Sequence, residues 1–283
     1  GIPLPARSGR HTPAGPAGSL GEPGMTRDTR ATDAPRPNLL LLHGFMGSAD
    51  DWSPLGLQDV ARVTALDLPG HGLPPQSWPA GGSGFERTLD WLESALRQCG
   101  PRPRFLAGYS LGGRLALALA LRCPHELDGL ILLASSAGLA GNDARTARHR
   151  LDEQRARELV QDFPGFLDSW YRQPLFGELR HRPGFPAVLE RRLRSDPREL
   201  ARALVRFSPG KLPVFQEELA RLDLPVLLLA GEEDVAYATL SRSLQQQLPR
   251  AQRVVLPGVA HALLEEDPAG CAREITRFIN QIG

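Results

Sequence analysis

The sequence has little of what marks several protein classes. Its 283 residues include three cysteines, Cys99, Cys123 and Cys271, whose odd number and wide spacing predict neither a disulfide framework nor a metal site. No run of eighteen apolar residues occurs, so we expect no membrane span and no membrane partner. A net charge of +1 gives no indication of a nucleic-acid partner. Lysine occurs once, at Lys211, so arginine carries almost all of the positive charge.

The N-terminal segment differs in composition from the rest of the chain. Residues 1–37 hold seven prolines and six glycines and lack the apolar stretch of a secretory signal. We expect this segment to be a flexible tail, with Met25 as a candidate natural start and residues 1–24 as a candidate addition. The remaining length is sufficient for one large domain with a substantial buried core.

Short apolar runs, each followed by turn residues, alternate with helical patterns. Runs that are apolar on both faces are typical of buried parallel strands. The runs are NLLLL (38–42), VTAL (63–66), RFLAG (104–108), GLILLAS (129–135), PVLLLAGEED (225–234) and RVVLPGVAH (253–261). The helical segments are 86–98, 111–122, 239–248 and 268–281. This alternation predicts an α/β fold with a doubly wound, mostly parallel sheet.

Residues 138–211 break the alternation, since several helical patterns follow one another without a strand-like run. We predict a helical cap there, over the carboxyl edge of a core made of residues 38–137 and 212–283. The cap segment has fifteen basic and ten acidic residues, so its net charge is +5. Solvated helix faces explain most of these charges, but a cap that faces an anionic substrate would also need some of them.

Ser110 is the candidate nucleophile. It lies in the pattern G-x-S-x-G, from Gly108 to Gly112, between an apolar strand and the helical pattern LGGRLALALALR. The pattern alone is weak, but a strand before it and a helix after it form the setting of a nucleophile elbow, where small neighbours allow a strained turn.

A serine hydroxyl needs a histidine base, and that histidine needs a carboxylate to orient it. After an elbow the expected chain order is serine, acid, histidine. Asp234 and His261 follow later strand runs in this order. Glu232 and Glu233 are competing candidates for the acid. We prefer Asp234 because the two glutamates lie closer to the strand.

An oxyanion that forms beside the serine needs two backbone N–H donors. We predict that Leu111, directly after the nucleophile, supplies one. Phe45, in the turn HGF after the first core strand, is predicted to supply the other. His43 and Gly44 would shape that turn.

From residue 38 onward the chain resembles the α/β-hydrolase superfamily. The matching stretches are LLHGFMGSADDW, ALDLPGHG, GYSLGGR, LAGEED and GVAH. Within the superfamily it resembles the 2-succinyl-6-hydroxy-2,4-cyclohexadiene-1-carboxylate synthases of menaquinone biosynthesis. The cap stretches WYRQPLF (170–176) and RRLRSDPRELARAL (191–204) are similar to theirs, and caps matter because they set the substrate.

This resemblance implies a lyase. The substrate carries several carboxylates and loses pyruvate, with Ser110, assisted by His261 and Asp234, abstracting a proton next to a carbonyl. The resemblance also implies a cytoplasmic enzyme and a small anionic polycarboxylate as substrate. No metal or nucleotide motif occurs in the sequence, so we expect no metal and no cofactor.

The resemblance further implies a set of substrate-binding residues. Arginine suits carboxylates because its planar guanidinium binds them in a bidentate way. The matching positions are Tyr109, Arg114, Arg148, Trp170 and Arg192. Arg145 competes with Arg148 on the same helical face, and Arg191 competes with Arg192.

Two other functions remain open from the sequence. A carboxylesterase, a lipase-like enzyme or a C–C bond hydrolase would use the same triad, and a cap lined by apolar residues would favour it. A non-catalytic binding protein on the same fold is the third possibility, against which an intact triad argues.

Overall fold

The computed structural model describes residues 36–79 and 84–282. The predicted tail lies outside the described residues apart from Arg36 and Pro37. Both of these contact the folded part, because the Pro37 carbonyl accepts the Arg62 N–H (2.8 Å) and Arg36 donates to the Gln58 carbonyl (3.1 Å). The folded part therefore includes two residues that the sequence assigned to the tail.

The described residues form one parallel sheet, which confirms the predicted fold class. Its strands run in the spatial order β2-β1-β3-β4-β5-β6, and every neighbouring pair is parallel. The strands are β1 (Asn38–Leu42), β2 (Arg62–Leu66), β3 (Arg104–Tyr109), β4 (Gly129–Leu133), β5 (Val226–Gly231) and β6 (Ala251–Leu256).

Both faces of the sheet are buried, which is why its strands read as continuous apolar runs. In β1, Leu40 and Leu42 face one hydrophobic layer while Leu39 and Leu41 face the other. The first layer is covered by α1 (Phe85–Gln98), α2 (Leu111–Arg122) and α7 (Val235–Gln247). The second is covered by the short helix α8 (Leu263–Glu266) and by α9 (Pro268–Ile282).

Four helices lie between β4 and β5, in the segment where the cap was predicted. They are α3 (Asn142–Gln161), α4 (Phe163–Tyr171), α5 (Phe185–Leu193) and α6 (Pro197–Arg206). They share a hydrophobic cluster that includes Leu159, Phe166 and Leu204. Met46, after β1, and Ala262, after β6, belong to the same cluster, so these helices pack on the loops at the carboxyl edge of the sheet.

Among the described residues, no helix combines the length and the apolar character that crossing a membrane requires. The three cysteines are free thiols.

Candidate active site

Ser110 occupies a strained turn between β3 and α2. Its φ of 51° lies in the left-handed region, which non-glycine residues rarely adopt outside functional sites. The turn closes tightly, because a Cβ on Gly108 would strike the backbone of Gly112, and one on Gly112 would strike the Leu42 carbonyl. These glycines therefore allow the elbow to pack against β1 with the serine at the carboxyl edge of the sheet.

The structure brings Ser110, His261 and Asp234 together. The distance from His261 Nδ1 to Asp234 Oδ2 is 2.6 Å, and from His261 Nε2 to Ser110 Oγ it is 3.1 Å. With Nδ1 donating to the carboxylate, Nε2 is free to accept the serine proton. Asp234 is 1% and His261 4% exposed, so the ion pair that forms on proton transfer is shielded from water.

The three acids after β5 have different partners. Asp234 caps α7 by accepting the Tyr237 N–H (3.2 Å), which holds its other oxygen toward His261. Glu232 instead accepts the N–H of Gly258 (3.1 Å). Among the described residues, Asp234 alone of the three bonds to His261.

His261 is held by the sheet-edge loops and by the cap segment together. Its carbonyl accepts the Tyr109 hydroxyl (3.0 Å), and its N–H donates to the carbonyl of Leu175 (3.0 Å). The Phe176 and Tyr237 rings pack on its imidazole, with centroids 5.9 and 4.6 Å away. The His261 imidazole is therefore oriented by residues far apart in the sequence.

The two predicted oxyanion donors lie beside the serine. Phe45 and Leu111 both line a cavity with Ser110, and among the described residues neither N–H donates to another protein group. A Cβ on Gly44 would lie 2.8 Å from the Tyr109 ring and 3.6 Å from Ser110 Cβ, so the turn after β1 passes directly over the elbow. Both N–H groups thus lie beside Ser110 without another partner among the described residues, which is what an oxyanion donor requires.

His43 shapes the turn after β1 as predicted. Its Nδ1 donates to the Gly44 carbonyl (2.7 Å), and its Nε2 accepts the Leu68 N–H (2.9 Å). Burial lowers the pKa of His43 below its ordinary value, so the ring remains neutral and can accept that bond.

A cavity of about 240 Å³ opens on Ser110 and His261. We call it the arginine cavity, because Arg114, Arg148 and Arg155 line it, together with Trp170, Gln173 and Tyr237 among others. None of its lining residues within the described part of the chain is acidic. The three guanidinium groups outnumber the one carboxylate of the described residues that pairs with them, Asp152, so the space beside Ser110 carries a net positive charge.

Arg114 is buried without a partner. Its side chain begins in the first turn of α2, the residue is 7% exposed, and among the described residues its guanidinium makes no hydrogen bond or ion pair, with Nε fully enclosed. Burial lowers its pKa, and the nearby Arg148 lowers it further. A buried cation that lacks a partner is destabilising, and an anion bound in the cavity would compensate its charge.

The structure distinguishes the two candidate arginines of α3. Arg148 lines the arginine cavity, where its Nε contacts both oxygens of the fully buried Asp152, at 3.0 and 2.9 Å. Arg145 points elsewhere and donates to the Leu212 carbonyl (3.0 Å).

Sequence reasoning missed Arg155. It lies seven residues after Arg148, two turns further along α3. This spacing places both side chains on the same face of the helix, which is the signal by which the sequence could have indicated Arg155. Its guanidinium lies over the Trp170 ring, 5.3 Å from the centroid.

Arg192 does not reach the arginine cavity. It lines a second, smaller cavity of about 50 Å³ that also opens on Ser110 and His261, and its guanidinium contacts both oxygens of Asp51 at 2.9 Å. Burial alone would raise the pKa of Asp51, but the charge and hydrogen bonds of Arg192 lower it below its ordinary value. Arg192 thus already holds a carboxylate, which differs from the predicted role of binding the substrate. Its competitor Arg191 is paired with Glu265 (2.6 Å).

The two predicted aromatic residues both border the second cavity, and Trp170 also borders the arginine cavity. Tyr109 borders the second cavity, and burial raises its pKa well above the ordinary value, so it remains a neutral donor to His261. Trp170 borders both cavities and packs on Phe45 and Phe166, with ring centroids 5.3 and 5.6 Å away.

No group of three potential ligands that could hold a metal ion occurs within residues 36–79 and 84–282.

The triad, the elbow and the sheet place this site in a known class of enzymes. Residues 37–268 match the α/β hydrolase fold family, and the chain belongs to that family. It is 34% identical over 248 residues to the 2-succinyl-6-hydroxy-2,4-cyclohexadiene-1-carboxylate synthase of Yersinia pseudotuberculosis serotype O:1b (strain IP 31758), covering 87% of this chain and 88% of that protein. The predicted resemblance to these synthases is thereby confirmed.

A plant protein is also similar. The chain is 29% identical over 261 residues to Protein PHYLLO, chloroplastic, of Arabidopsis thaliana. The alignment covers 86% of this chain but spans only 15% of the length of that protein.

Two solved structures share the fold and more than a quarter of the aligned residues. MenH from S. aureus superposes with a TM-score of 0.82 at 26% identity, covering 87% of this chain and 94% of that one. A malate-bound thermophilic esterase from Thermogutta terrifontis gives a TM-score of 0.72 at 27% identity, covering 87% and 90%.

Proposed function

We propose that this chain is a lyase that eliminates pyruvate from 2-succinyl-5-enolpyruvyl-6-hydroxy-3-cyclohexene-1-carboxylate in menaquinone biosynthesis. The observation that carries the proposal is Arg114, a buried guanidinium without a protein partner, in the cavity that opens on the nucleophile. An ester hydrolase does not require an unpaired buried cation beside its serine. An enzyme whose substrate carries several carboxylates does, because the cation binds one of them. The similarity to synthases of this reaction supports the same conclusion.

In the proposed mechanism Ser110 acts as a base. His261 Nε2, which lies 3.1 Å from Ser110 Oγ, takes the hydroxyl proton, and Asp234 stabilises the resulting imidazolium. The serine oxygen then removes the proton from ring carbon 2, which is adjacent to the succinyl carbonyl. No acyl-enzyme forms.

The electrons of the broken C–H bond move onto the carbonyl oxygen, where the N–H groups of Phe45 and Leu111 stabilise the enolate. Their return forms the double bond at carbon 2, shifts the ring double bond to carbon 4 and breaks the C–O bond at carbon 5. The leaving enolate of pyruvate takes a proton from His261, and the serine keeps the proton from carbon 2, so no water is consumed.

Arg114 and Arg148 would hold substrate carboxylates during this sequence. Charge-assisted hydrogen bonds from guanidinium to carboxylate are stronger than neutral ones and fix orientation. Trp170 lies against Phe45 and would bound the space for the planar ring. Because both arginines are partly or fully removed from water, their interaction with a bound anion is screened less than on the surface.

A carboxylesterase is the second candidate, and the second cavity favours it. Tyr171, Phe176, Leu179 and Val188 line that cavity beside Ser110 and would accept an apolar acyl group. In this case Ser110 would attack the ester carbonyl and form an acyl-enzyme.

The test is a direct assay of the purified protein with the cyclohexene substrate, in which released pyruvate is measured by coupled reduction with lactate dehydrogenase and NADH. Ser110→Ala should lower kcat by about 10³-fold or more, while Ser53→Ala, at an exposed serine, should leave it unchanged. Rapid hydrolysis of p-nitrophenyl acetate without any pyruvate release would instead establish the esterase.

A further inference from the structure

Arg155 is a cation of the arginine cavity that no sequence motif indicated. It projects from α3 into the same cavity as Ser110 and Arg114, and 22% of its side chain is exposed. Its nearest carboxylate is Asp152, at 3.8 Å, and Arg148 contacts both oxygens of that carboxylate at closer range. The charge of Asp152 thus offsets Arg148 more than it offsets Arg155.

Neutral groups hold the Arg155 guanidinium in place. Its Nη2 donates to Gln173 Oε1 (2.8 Å), and the Gln173 amide donates to the Trp170 carbonyl (2.9 Å). The guanidinium also lies over the Trp170 ring, 5.3 Å from its centroid. A cation–π contact and a hydrogen bond to a neutral amide orient the group but add no negative charge to the partial compensation that Asp152 provides.

Arg155, Gln173 and Trp170 all line the arginine cavity, although they come from different parts of the cap segment. Arg155 comes from α3, Trp170 from α4, and Gln173 follows α4. Orienting a long side chain in advance lowers the entropy lost when a ligand binds, which is the property of a built recognition group.

We propose that Arg155, positioned by Gln173 and Trp170, binds a carboxylate of the substrate and makes the enzyme selective for tricarboxylates over dicarboxylates. The proposal rests on the proposed function, since it assigns one further carboxylate contact of that reaction. Arg114, Arg148 and Arg155 then provide one guanidinium for each of the three carboxylates that the substrate carries.

Arg155→Met removes the charge and keeps most of the side-chain length. We expect KM in the pyruvate-release assay to rise about 10- to 100-fold, with kcat changed less than about 3-fold, since the carboxylate that Arg155 holds takes no part in the bonds that form and break. Arg155→Lys should recover part of the loss, because it restores a charge without the bidentate fork. The matched control is Arg157→Met, at an exposed arginine of the same helix. An unchanged KM in Arg155→Met, or equal changes in it and in Arg157→Met, overturns the proposal.

Binding can be measured without turnover, which separates this proposal from the proposed reaction. Citrate, a tricarboxylate, should raise the melting temperature of the unaltered protein more than succinate does, and Arg155→Met should abolish the difference. An equal shift for the protein and the variant, zero included, contradicts the assignment of Arg155. A failure of pyruvate release accompanied by the expected citrate effect rejects only the proposed lyase.

Discussion

Ser110 and Arg114 lie one turn of α2 apart, and their polar groups are treated in opposite ways by the surrounding protein. The serine is supported by hydrogen-bonded partners, since His261 and Asp234 form a closed chain of contacts with it. The arginine is buried with none. A protein keeps such an unfavourable charge where function needs it, and stability is sacrificed at that position.

Arg114→Met should therefore change activity and stability in opposite directions. We expect KM for pyruvate release to rise about 10- to 100-fold, because a charge-assisted contact is lost. The free energy of unfolding should rise by about 1 kcal/mol or more, since an unpaired buried cation is replaced by an apolar side chain. Enzyme kinetics and urea unfolding measure the two effects. Arg150→Met, at an exposed position of α3, is the control and should change neither; a less stable Arg114→Met protein would contradict this account.

At the scale of elements, the junction of β1 with α2 determines the site. Gly112 opens the helix so close to β1 that a Cβ there would meet the carbonyls of Leu42 and His43. Its N–H donates to the His43 carbonyl (3.1 Å), which ties the turn carrying Phe45 to the turn carrying Ser110. One close backbone contact thus positions Ser110 relative to the two predicted oxyanion donors.

Gly112→Ala should destabilise this junction. The added methyl group meets backbone atoms, which have little freedom to move, so we expect the free energy of unfolding to fall by about 1–3 kcal/mol. Gly184→Ala is the matched control, because nothing lies within 4 Å of a Cβ at that glycine, and its effect should stay within about 0.5 kcal/mol. Urea unfolding of both variants is the measurement. Equal stabilities would show that the junction tolerates the methyl group.

The elements themselves were largely predictable, and the deviations have local causes. Helix α7 begins at Val235, four residues before the predicted start at 239, because the Asp234 carboxylate caps it. The last apolar run was expected to be strand up to residue 261, but β6 ends at Leu256. The five residues after it form the loop that carries His261, whose N–H bonds to the Leu175 carbonyl instead of to the sheet.

At the scale of the whole molecule, two buried histidines link folding to pH. The His43 and His71 ring centroids are 4.9 Å apart, and the residues are 0% and 1% exposed. Burial lowers the pKa of both rings, and the proximity of His43 lowers that of His71 further. The unfolded chain binds protons at these residues more readily than the folded protein does. The stability that depends on their neutral form is therefore fully present above their unfolded pKa of about 6.5, and it is lost as the pH falls below that value.

His71→Asn should therefore weaken the dependence of stability on pH. In the unaltered protein each of these histidines contributes a slope of up to about 1.4 kcal/mol per pH unit below pH 6.5, and the variant lacks one such contribution. Urea unfolding at several pH values between about 5 and 7 measures the slope. The exposed His125, changed to Asn, is the control. The prediction fails if both variants retain the slope of the unaltered protein.

Local patterns in the sequence predict the parallel sheet, the elbow at Ser110 and the order of its partners, because apolar runs, turn glycines and residues at strand ends are readable without the fold. Which partner each arginine contacts, by contrast, depends on the folded arrangement of the chain. Arg192 pairs with Asp51 across 141 residues, whereas Arg155 enters the cavity beside Ser110. Every arginine of the cap segment carries the same charge, and what separates them is the partner that folding brings within a few ångströms, which spacing along the chain does not encode.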